Sequence, residues 1–177
     1  MVLEMTKLVV AAAHFLAPWQ AMYSDSTVIS TTVTTIHIVA LVFGAGLAIA
    51  ADRATLRYTR SGDDDKRHLL REISSTHRPV LMALALMFAS GAALAAADIK
   101  TFAESPVFWL KLGLVALLLV NGAVLERTES ALKKGGAFEA LPPNRSNRMW
   151  KRLRRSAVFS IALWTATIVA GTVLVNA

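Results

Sequence analysis

The sequence contains no cysteine, which excludes disulfides, thiolate metal sites and thiol chemistry and leaves the redox compartment open. Any metal or cofactor must therefore be held by His, Met, carboxylates or Lys. Charge is also missing over long distances. Residues 26–51 carry no charged side chain and one imidazole, His37; residues 79–97 and 156–177 carry no charge, and residues 105–125 carry only Lys111. None of these runs alternates as a barrel strand would, so helices are the spanning form they predict. Each is close to the roughly 20 residues that a helix needs to cross a hydrocarbon core.

What charge there is falls in two places. Of the 19 Lys and Arg residues, all but Lys7, Lys100 and Lys111 lie in segments 52–78 and 126–155. That clustering turns a pI of 10.3 into a topology, because basic loops stay on the cytoplasmic side. Four crossings put both segments inside and the N-terminus, the 98–105 turn and the C-terminus outside. The expected fold class is all-α: a membrane four-helix antiparallel bundle with an N-terminal interfacial amphipathic helix. The 177 residues, 55% of them hydrophobic, read as a single integral membrane domain over 1–177. Its interfacial helix covers 2–23, and its spans lie near 27–51, 79–98, 106–126 and 156–176.

Within residues 1–25, Lys7 followed by LVVAAAHFLA faintly resembles a signal-peptide core, but the n-region is weak and contains Glu4. On a helix, Glu4, Lys7, Ala11, His14 and Pro18 form a polar stripe, and Leu8, Ala12, Phe15, Trp19 and Met22 an apolar one. This favours an interfacial helix ending near Pro18 over a cleaved signal. Arg53, Arg57 and Arg60 continue the first span as a helix past the membrane. Ser61-Gly62-Asp63-Asp64-Asp65 reads as a turn and N-cap, and Pro79 as a kink or restart. Lys133-Lys134-Gly135-Gly136 ends one helix and Pro142-Pro143-Asn144 begins the next. The basic runs suit anionic membrane lipid. Nucleic acid is the poorer partner, since no aromatic-interleaved platform accompanies the charges.

Polar groups in hydrocarbon are costly, which makes each one a functional candidate. Ser30, His37, Leu41, Gly44 and Ala48 share one face of the first span, so small residues should let a neighbouring helix approach and turn His37 inward. Ser160, Thr167 and Gly171 form a similar stripe in the fourth span, and the third contributes Lys111 and Asn121. By helical rise His37 sits about 10–15 Å and Lys111 about 7–8 Å below the outer surface, so they can share a pocket. His77 is about 15–20 Å further along the membrane normal, too far to ligate the same iron as His37, given Fe–N bonds near 2 Å. His14, Met82 or Met87 are the candidates for a second axial ligand. Three readings of His37 stay open: a hydrogen bond across the bundle, haem ligation, or a proton or ion route. Lys111 can instead snorkel to headgroups, the two Met residues can be packing, and His68 and His77 can be solvated.

The stretch IHIVALVFGAGLAIAADR (36–53) resembles the first-helix pattern of small four-helix membrane proteins grouped around HemJ-type protoporphyrinogen oxidases and CopD-like copper-resistance domains. SPVFWLKLGLVALLLVNGAVL (105–125) resembles their third helix, an aromatic before a Lys and then a Leu-rich run ending in Asn or His. The resemblance implies cofactor-binding roles for His37 as haem ligand, Lys111 as intramembrane Lys and Arg53 as helix-end Arg. It implies a b-type haem-binding redox or electron-transfer protein of a bacterial inner membrane, with quinone or a membrane oxidoreductase as electron partner. The competing expectation is a non-catalytic accessory subunit or small transporter without haem. Either fits a homo-oligomer or a subunit of a larger complex.

Overall fold

The structure, a computed structural model, describes residues 2–58, 63–134 and 143–176. Among the described residues there are six helices and no strand: α1 (Val2–Asp25), α2 (Thr27–Tyr58), α3 (Asp63–Ala97), α4 (Ile99–Glu104), α5 (Pro106–Lys134) and α6 (Pro143–Asn176). Four of them contain segments long and apolar enough to cross a membrane, Thr27–Tyr58, Arg78–Ala97, Pro106–Leu132 and Asn147–Leu174. The fold is an all-α membrane bundle.

The register is antiparallel throughout. Gly44 of α2 meets Ala83 of α3 and Trp164 of α6, while Lys111 of α5 meets Gly171 of α6. The tightest pairings are α2 with α3 and α5 with α6, and α2–α6 joins the two hairpins. α3 and α5 scarcely touch among the described residues, so the bundle has one open seam. Gly44 allows the closest approach: a Cβ there would sit 3.0 Å from the Ala83 Cβ.

Two apolar clusters hold the bundle along its length. One contains Ala40, Ala45, Met87, Leu118, Leu163 and Trp164. The other, at the end that carries the Arg-rich connections, contains Leu69, Leu132, Trp150 and Leu153. The 32 residues of α2 rise about 48 Å, well beyond a hydrocarbon core of about 30 Å. The extra turns extend the bundle past the membrane at this basic end. Arg60, the Ser61-Gly62 turn, Gly135-Gly136 and Pro142 lie outside the described residues, but α5 ends at Lys134 and α6 begins at Pro143.

Helix boundaries differ from the expected ones in three places. α1 does not stop near Pro18 but continues to Asp25, where Trp19 Nε1 donates to the Ala93 carbonyl (2.9 Å) and Gln20 Nε2 to that of Ala96 (3.2 Å). These bonds to α3 offset the one that proline removes. The apolar stripe of α1 is divided, with Trp19 bonded to α3 and the rest of its described side chains largely outside the bundle. Phe15 and Met22 are 83% and 49% exposed, whereas Ala13 is buried. Lipid is as apolar as a protein core, so the packed face is chosen by small residues and by donors that reach carbonyls. α3 runs through Pro79 without restarting, which removes the restart and leaves the kink of the two readings of that proline. The 98–105 turn contains a short helix, α4, whose N-cap Asp98 accepts from the Thr101 N–H (3.4 Å).

Candidate functional site

The polar side chains inside the bundle fall into two groups at different levels. Near the α4 end, His37 projects from α2 onto α3. Its Nδ1 lies 3.1 Å from the Met87 carbonyl and 3.0 Å from Ser90 Oγ. A carbonyl only accepts, and Ser90 Oγ already donates to the Leu86 carbonyl at 2.7 Å. Nδ1 must therefore carry the proton, which leaves Nε2 as the lone-pair nitrogen of the neutral ring. The ring rests on Gly91, where a Cβ would fall 3.0 Å from His37 Cε1. The glycine is a seat for the imidazole.

Lys111 enters the same level from α5. Its Nζ lies over Gly171 of α6, 3.5 Å from where a Cβ would be. Lys111 thus lies beside α6 and His37 beside α3, both toward the α4 end of the bundle. The other candidates do not join them. Arg53 is exposed at the basic end, about 24 Å from His37 by helical rise. His14 is exposed on α1. Met82 is 73% exposed on the outer face of α3, whereas Met87 is 4% exposed and packs in the central apolar cluster. The side chains of His68 and His77 lie outside the described residues. Among the described residues no group of three or more His, Asp or Glu side chains is placed to hold a bare metal ion. If a haem were held, His37 is the residue that would bind its iron, since ligating His residues commonly donate the other ring N–H to a carbonyl.

The second group escaped the sequence reading. Asp52 is 2% exposed and Ser160 lies beside its carboxylate, yet Oδ2 has no hydrogen-bond partner among the described residues. Beside it, Asn121 Nδ2 donates to the Ser156 carbonyl (3.1 Å) and Ser156 Oγ donates to Asn121 Oδ1 (2.8 Å), a reciprocal pair between α5 and α6. Asp52 and Asn121 both line a cavity of about 180 Å³. A pattern did point to Asp52. The stripe His37, Leu41, Gly44, Ala48 continues at the same spacing to Asp52 and Thr55, and both are buried. Adjacent Arg53 disguised it, because two neighbouring charges at the end of an apolar run read as a solvated boundary. One residue is a turn of about 100°, enough to send Asp52 inward and Arg53 out.

No family model, curated protein or solved structure matches the chain.

Proposed function

We propose that this is a multi-pass inner-membrane electron-transfer protein of a bacterium, holding a b-type haem through His37 and oriented with both termini outside. The observation that supports the reading is the fixed ring of His37, with Nδ1 donating to the Met87 carbonyl and Ser90 Oγ, which leaves the lone pair of the neutral ring on Nε2. Haem, when bound, supplies one-electron chemistry. The chain's own part is positional. Ser90 and Met87 set the ring's tautomer and aim, Gly91 permits its approach, and Lys111 adds a positive charge that favours the reduced state of a nearby centre. The resemblance of 36–53 and 105–125 to HemJ-type and CopD-like proteins supports the same site. Quinone or a membrane oxidoreductase is the electron partner that a membrane location favours. The Arg-rich ends of α2 and α6 meet anionic lipid on the cytoplasmic side.

A reduced-minus-oxidised spectrum of the purified protein, expressed with ample haem, tests this. Soret and α bands are expected, and their absence sinks the reading. The alternative, an accessory subunit or small transporter without haem, draws its support from Asp52: an unpartnered buried carboxylate beside a cavity suits ligand passage better than electron transfer.

A further inference from the structure

The cavity beside Asp52 lies between the two apolar clusters, with Leu118 and Trp164 on one side and Leu125 on the other. α2 and α6 close its back. Its front is the seam where α3 and α5 scarcely touch, with Leu81 (51% exposed) and Leu119 (48% exposed) at its lips. A molecule dissolved in the bilayer reaches it sideways, without crossing the loops. Asp52, Glu126 and Thr76 line its basic end, and the rest of the wall is mostly apolar. No Lys or Arg lines it, although Arg53, Arg127 and Arg155 are near in sequence and all exposed. By the charge pattern of 26–51 and 105–125, the Asp52–Glu126 level is where hydrocarbon gives way to headgroups.

We propose that this cavity binds a small amphiphile carrying an ammonium group, its cation on Asp52 Oδ2 and its apolar body among Leu81, Leu84 and Leu118. Three features call for that chemistry. A buried oxygen without a donor costs free energy that a cation would offset. The lining charges are of one sign. The apolar wall runs away from the carboxylate toward the membrane interior, so a bound amphiphile keeps its head at headgroup depth. A cavity of about 150 Å³ holds benzene, so about 180 Å³ with an open side suits a ring or short chain with a small head. The proposal does not rest on haem at His37.

The test is titration of the full chain in phosphatidylglycerol nanodiscs with phenyltrimethylammonium, and with tert-butylbenzene, its uncharged carbon isostere. The wild type should bind the cation at one site, at least about tenfold tighter than the isostere. Asp52→Asn should remove that preference and leave tert-butylbenzene binding unchanged. Gly122→Phe, at a lining position where a Cβ meets nothing within 4 Å, should fill the cavity and abolish binding of both, with the carboxylate intact. Equal binding of cation and isostere by the wild type overturns the proposal, as does undiminished cation binding by both variants. Competition by added phosphatidylcholine assigns the site to a lipid ammonium headgroup, and its absence assigns it to a free amine.

Discussion

His37 and Asp52 occupy one face of α2, about 22 Å apart by helical rise, and their surroundings differ in kind. His37 is matched: a carbonyl and a hydroxyl take Nδ1, and Gly91 is shaped to its ring. Asp52 has one hydroxyl neighbour, an oxygen without a partner and empty space in front of it. The first arrangement holds a side chain in one orientation. The second leaves a charge unsatisfied until something arrives. Burial alone does not separate the two roles; the count of partners and the volume beside the group do.

The largest effect that separates the regions is spectral. His37→Ala should abolish or strongly shift the Soret band, because the axial bond is the main hold on the iron, whereas Asp52→Asn should leave it in place. Loss of the band in Asp52→Asn with retention in His37→Ala would move the haem site to the basic end. Next come the glycines. Gly91→Val must displace the His37 ring and should cost about 1–3 kcal/mol in a detergent-unfolding titration, with weakened haem retention. Gly122→Val, with open space around its Cβ, should unfold like the wild type.

Stability should then change in opposite directions at one level of the bundle. Asp52→Leu removes an unsatisfied acceptor and should be neutral or stabilising by about 1–4 kcal/mol, while Asn121→Leu breaks the pair with Ser156 and should cost about 1–2 kcal/mol. The same unfolding titration reads both, and a loss of stability in Asp52→Leu would mean that the carboxylate is already satisfied. Lys111→Met should lower the redox midpoint, read by potentiometric titration, with the Soret intensity nearly kept. The smallest effect is expected for His77→Ala, within about 0.5 kcal/mol and with an unchanged spectrum.

The four apolar helices and their antiparallel order were legible because hydropathy and helical rise fix the length and depth of each span. The packed face of α1 was not. Sequence patterning assumes that apolar side chains seek the core, and in lipid Phe15 and Met22 gain nothing by doing so. Met82 and Met87 looked equivalent as thioethers, and only packing told an outward residue from a core one. Ser90 was invisible as the partner of His37, since a hydroxyl in an alanine-rich span has no pattern until the register of α2 on α3 is known. Asp52 was within reach of the stripe that located His37, and the neighbouring arginine concealed it.

The overhang of α2, α5 and α6 at the basic end means that one chain is folded by two solvents. Around Met87 and Trp164 the alternative to helix packing is lipid, and cohesion there comes from close fit and hydrogen bonds. Around Leu69, Leu132 and Leu153, all 0% exposed, the alternative is water, and cohesion follows the ordinary hydrophobic effect with its large heat capacity. Urea should loosen the aqueous end first, and a change of acyl-chain length should act on the other. The protein has no single stability, only one for each medium it touches.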